Sequence, residues 1–128
     1  MGIRMKLLIR ASLTMPLEPE LEALIKKFEA MGVSISLFQH PEYLKLNSIK
    51  VPKERRGEGL GTEFMENLVR IADQYGLAIF LTPSTDLGAS SISRLRRFYS
   101  RFGFKRNQGR DKDFRSWDEM VRQPKKKP

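Results

Sequence analysis

No cysteine occurs among the 128 residues. Disulfides, thiolate metal sites and a covalent cysteine intermediate are therefore excluded. The one histidine, His40, cannot build an imidazole metal centre alone, so no metal site is expected. No apolar run approaches the roughly 18 residues of a membrane-crossing helix, so no membrane partner is expected. The basic, apolar stretch Met5–Ala11 is interrupted by Arg10, and no small-residue cleavage site follows it, which argues against a secretory signal. Lys6 stands where a myristoylation motif opening at Met1-Gly2 requires Ser or Thr. These absences lead to the expectation of a soluble, cytoplasmic protein. Acidic side chains are also scarce: 15 against 24 Lys and Arg, a formal net charge of +9. Between Arg94 and Lys112 the basic residues face Asp111 alone, and Lys125, Lys126 and Lys127 extend the excess. Such a field attracts polyanions, either nucleic acid or a phosphate-rich cofactor, although a solvated face with no ligand has the same composition.

What is present suits one compact core. Hydrophobic residues make up 40% of the chain, and the length fits a single domain, expected over residues 1–122 with a basic tail at 123–128. Met5–Ile9 has a strand pattern. Leu17, Leu21, Leu24, Ile25 and Phe28 recur at helical spacing, which predicts a helix over Pro19–Met31 ended by Gly32. Val33, Ile35 and Leu37 alternate with serines as a strand, and His40-Pro41-Glu42 makes a turn into a second strand over Tyr43–Val51. In that strand the apolar phase slips from Leu44 and Leu46 to Ile49 and Val51, which predicts a bulge near Asn47-Ser48. Leu60, Phe64, Leu68 and Ile71 mark a helix closed by Gly76. Leu77–Leu81 is a strand apolar on both faces, and Ile92, Leu95, Tyr99 and Phe102 mark another helix, closed by Gly103. Phe104–Trp117 and Met120-Val121 are expected as the last strands, with a hairpin through Asn107–Arg110. This order of elements predicts an α/β protein with a mixed sheet.

The segment with the most chemistry is Val51-Pro52-Lys53-Glu54-Arg55-Arg56-Gly57-Glu58-Gly59-Leu60-Gly61-Thr62. It lies between a strand and a helix. Its glycines allow close backbone approach, and the following helix offers unpaired N–H groups and a positive dipole end. That combination suits phosphate groups. No Gly-Lys-Ser/Thr follows, as a Walker loop requires, and the glycine spacing does not fit G-x-G-x-x-G. A flexible charged loop capping a helix is the plain alternative.

Arg56-x-x-Gly59-x-Gly61 matches the Q/R-x-x-G-x-G/A signature of the GNAT (Gcn5-related N-acetyltransferase) superfamily. Leu95–Phe104 resembles the helix of that family that ends in Y-x-x-x-G-F, and the apolar run Leu77–Leu81 stands between them, where the family's fifth strand belongs. The resemblance covers Ile49–Phe104. In its compact size and its Asn107–Pro124 segment the chain is also similar to small phage-encoded members. The resemblance implies a central, splayed, mostly antiparallel sheet flanked by helices, and acetyl-CoA as cosubstrate. It implies that the pyrophosphate meets the backbone of Arg56, Gly57, Glu58, Gly59, Leu60, Gly61 and Thr62. The pantetheine arm would pair with the strand at Ile49, Lys50 and Val51, and Tyr99 would serve as general acid toward the leaving thiolate. Tyr99 also falls on an apolar helix face, where a core tyrosine would fall.

Two departures from the family pattern are visible. Ile92 stands where many members have Asn, with Ser90, Ser91 and Ser93 as polar neighbours. The second strand offers no carboxylate as base, which leaves Glu42, Asp86, His40 or a chain of waters. The reading is direct acetyl transfer to a primary amine. The alternatives are a CoA-binding domain without catalysis, or a nucleic-acid-binding module using Arg94–Lys112 with Phe98, Phe102 and Phe104 as stacking groups. A homodimer is compatible with the sequence.

Overall fold

The computed structural model describes residues 17–84 and 91–125. The strand pattern at Met5–Ile9, together with Asp86, Ser90, Lys126 and Lys127, lies outside the described residues.

Helix α1 spans Leu17–Glu29, with Glu18 and Glu20 in its first turn and Lys26 and Lys27 in its last, each sign complementing the helix dipole. Leu17, Leu21, Leu24 and Phe28 form its buried stripe. Strands β1 (Ser34–Gln39) and β2 (Tyr43–Lys50) pair as an antiparallel hairpin. Ser36 pairs with Ser48 and Leu37 with Leu46, so Asn47 is an extra residue without a partner. This is the bulge that the phase slip predicts. It keeps Leu44 and Leu46 buried while returning Ile49 and Val51 to the same core.

Helix α2 (Leu60–Gln74) buries Leu60, Phe64, Met65, Leu68, Ile71 and Ala72 and leads into β3 (Ala78–Leu81), which is buried throughout. Helix α3 (Ile92–Ser100) starts at Ser91, whose hydroxyl caps the Arg94 N–H. Strands β4 (Lys105–Arg106) and β5 (Met120–Arg122) complete a sheet of order β1-β2-β3-β5-β4. Three of the four pairings are antiparallel, and β2–β3 is parallel, as a strand–helix–strand connection requires. One core joins all three helices to Leu44, Leu46, Ile79, Leu81 and Met120, and a smaller cluster of Ala78, Phe80 and Val121 with Tyr43 lies apart from it. No described helix is long and apolar enough to cross a membrane.

Of Phe104–Trp117 only Lys105–Arg106 is strand, and it pairs antiparallel with β5 across a long connection and not through a tight hairpin at Asn107–Arg110. After β4 the chain forms a long, built loop. The Asn107 side chain is buried; its amide donates to the carbonyls of Asp113, Ser116 and Asp118, and its carbonyl accepts from the Asp113 N–H. One side-chain amide thus takes the place of a ladder. That arrangement leaves no periodic trace in sequence.

A cleft where two strands part

The β2–β3 ladder runs only from Tyr43–Ala78 to Leu46–Leu81, whereas β2 continues to Lys50 on β1. Beyond Leu46, the backbone edge of β2 away from β1 has no strand partner among the described residues. A cavity of about 60 Å³ opens in this fork. It is lined by Leu46, Asn47, Ser48 and Ile49 on one side, Leu81, Thr82, Pro83 and Ser84 on the other, and Leu95 and Tyr99 from α3.

Tyr99 reaches the cavity because the helical spacing that turns half-buried Leu95 toward the core also turns residue 99 inward. It is 7% exposed, and its ring meets Phe98 and Phe104 edge-on. Its hydroxyl has no hydrogen-bond partner among the described residues. Burial disfavours the phenolate, and the pKa is pushed up to about 12. A neutral phenol in a cavity wall can donate a hydrogen bond into the cavity.

At the outer end of β2, Lys53–Arg55 forms a short 3₁₀ turn, and α2 begins at Gly59. Gly57 and Gly59 have φ of 91° and 81°, in the left-handed region that side chains avoid. A Cβ at either would meet only open space, so backbone conformation and not crowding selects glycine. Gly59 supplies no side-chain cap, and the first intrahelical bond runs from the Glu63 N–H to the Gly59 carbonyl. The N–H groups of Leu60, Gly61 and Thr62 are left without intrahelical acceptors. Gly61 has an ordinary conformation, and a Cβ there would lie 3.6 Å from Phe98. That is an ordinary van der Waals contact, so a small side chain fits there.

The two loop arginines are already engaged. Arg55 donates to Glu58 at 3.0 and 3.1 Å and to the Met31 carbonyl at 3.1 Å, which fastens the loop to the end of α1. Arg56 donates its Nε to the Val51 carbonyl at 3.1 Å, bracing strand against loop. Arg56 through Thr62 thus form one exposed-to-half-buried lip, apart from buried Leu60, with Ile49, Lys50 and Val51 leading to it from the fork.

Among the described residues, the candidate bases His40 and Glu42 lie away from the fork. His40 accepts from the Glu42 N–H and stacks on Tyr43 at 4.2 Å; both are turn residues at the opposite end of β2. A carboxylate that sequence reasoning did not single out lies beside the cavity wall. Asp118, 8% exposed, accepts from Thr82 Oγ1 at 2.8 Å and from the Ser116 hydroxyl, with Lys45 Nζ at 3.5 Å. It holds the end of β3 in place from 36 residues away. The Ser-x-Asp spacing of a turn was its only local signal.

A splayed sheet with a glycine lip on a helix start defines a class of acyl-transfer folds. The family model of the acetyltransferase (GNAT) family matches residues 23–104. The chain belongs to that family. In fold it is similar to the crystal structure of the anti-CRISPR protein AcrVA5, with a TM-score of 0.52 and 20% identity over 68% of this chain and 85% of that one. No curated protein sequence matches the chain.

Proposed function

We propose that this protein transfers the acetyl group of acetyl-CoA directly to a primary amine. The observation that carries the reading is the fork between β2 and β3, with the unpartnered Tyr99 hydroxyl in its wall and the uncapped start of α2 at its end. Acetyl-CoA supplies a thioester, which an amine can attack without a covalent enzyme intermediate. The N–H groups of Leu60, Gly61 and Thr62, with the backbone of Arg56, Gly57, Glu58 and Gly59, hold the pyrophosphate. The free edge of Ile49, Lys50 and Val51 holds the pantetheine arm, as an added strand would be held. As the amine nitrogen bonds to the acetyl carbon and the carbon–sulfur bond breaks, Tyr99 gives its proton to the sulfur. The nitrogen's surplus proton leaves to water, and Tyr99 is reprotonated from solvent. The protein works as one domain.

The glycine lip is the part most open to test. Gly59→Val puts a β-branched residue at φ 81°, where strain costs about 1–3 kcal/mol and the helix start must shift to relieve it. Acetyl-CoA affinity is expected to fall about tenfold or more. Gly61→Ala, in ordinary contact with Phe98, is expected to stay within about threefold of the parent, less than 0.7 kcal/mol. Titration calorimetry on variants with intact melting curves decides. Unchanged affinity in folded Gly59→Val would place the phosphates elsewhere.

A further inference from the structure

We propose that the loop between β4 and β5 is a stacking platform for single-stranded nucleic acid. The loop is among the most heavily cross-braced segments of the described chain. Buried Asn107 clamps three of its carbonyls. Arg115 grips Asp113 and donates to the Glu42 carbonyl, and Gln123 adds a second bond to Asp113. Asp118 ties its far end to Thr82. All this order leaves its two largest side chains in water: Phe114 is 76% and Trp117 87% exposed. Large aromatic surface held out by a rigid loop marks a contact surface.

The chemistry around the rings selects the partner. Lys112 Nζ lies 5.3 Å from the Phe114 ring centroid and 5.0 Å from that of Trp117. The two centroids are therefore at most about 10 Å apart, a distance that about three stacked nucleotides span. Lys105 and Arg110 are exposed and form no ion pair among the described residues, while Arg96 and Arg106 share the single negative charge of Glu119. Two flat rings with Lys112 over both, on a loop that also carries exposed Arg110 and follows exposed Lys105, fit bases and phosphates together, and this combination tolerates any base sequence. An acidic peptide would satisfy the cations and leave the ring faces unused. Phe98, Phe102 and Phe104 do not belong to the platform: Phe104 is buried, and the other two pack on the core.

Trp117 is the single tryptophan of the chain, so its emission reports the platform alone. Titration of the full chain with oligo(dT) is expected to quench that emission. Affinity should fall with salt at a log–log slope of about −2, for three cations on a single strand. Polyglutamate and duplex DNA of equal charge are expected to leave the emission unmoved. Trp117→Ala, at an exposed position, keeps the melting temperature and loses about 5- to 100-fold in oligonucleotide affinity measured by anisotropy. The proposal fails if Trp117→Ala binds as tightly as the parent. It fails equally if polyglutamate quenches as strongly as oligo(dT), which would identify an acidic protein surface instead. Neither result bears on acetyl-CoA binding, since the platform shares no residue with the glycine lip.

Discussion

Tyr99→Phe is expected to lower turnover about 100-fold, within the range for loss of a positioned general acid, while acetyl-CoA affinity stays close to that of the parent. The substitution keeps the ring and its contacts with Phe98 and Phe104 and removes a hydroxyl that holds no described partner. Packing therefore changes little, and the loss falls on the step in which sulfur leaves. The pH dependence has a defined sign. Burial raises the folded-state pKa to about 12, above the ordinary tyrosine value of 10.0. The folded protein thus holds this proton more tightly than the unfolded chain. The stability tied to it is complete below pH 10 and is lost as pH rises from 10 to about 12. Tyr99→Phe is expected to escape that alkaline loss, so the two melting curves converge or cross above pH 10. Steady-state rates with chemistry limiting, beside melts at pH 8 and 11, test both halves. Equal kcat values would return Tyr99 to a purely structural role.

The largest effect on stability is expected at the pair Asp73–Arg122. Arg122 is 3% exposed on β5, donates to Asp73 at 2.7 and 3.0 Å, and sends its Nε to the Phe102 carbonyl at 2.6 Å. It therefore joins the C-terminal ends of α2 and α3, the two helices that carry the glycine lip and Tyr99. Asp73→Asn leaves the guanidinium buried without its counter-charge. Breaking such a pair costs about 3–5 kcal/mol when fully buried. Asp73 is 24% exposed, so about 2–3 kcal/mol is expected, a fall in Tm near 10 °C. The hydrogen bond from Arg122 holds the Asp73 carboxyl below its ordinary range, against an opposing desolvation. Its stabilising contribution is therefore present above pH 4 and is lost as pH falls further. Thermal melts of the parent and Asp73→Asn at pH 7 and pH 3 check this. The gap should narrow at the lower pH; a gap below 0.5 kcal/mol at pH 7 would show that the pair contributes nothing net.

The features that were legible in sequence share a local cause. The bulge at Asn47 appears as a slip of apolar phase within one strand, and the start of α2 as glycines before an amphipathic run, because both are set by neighbours along the chain. The parting of β2 and β3 was implied by family resemblance, and its physical mark is a ladder that stops at Leu46–Leu81. The loop after β4 was misread because Phe114 and Trp117 favour strands, whereas Asn107 organises it by side-chain bonds to three distant carbonyls. Asp118 escaped for a similar reason: its partners Thr82 and Lys45 lie far away in sequence.

Calorimetry of the parent protein with acetyl-CoA tests whether the fork and the glycine lip together hold it. A single site of micromolar affinity is expected, within the usual range for enzyme substrates. A pantetheine fragment without the pyrophosphate is expected to bind at least about tenfold more weakly, about 1.4 kcal/mol or more. No heat at millimolar acetyl-CoA, or equal binding of the fragment, would contradict it.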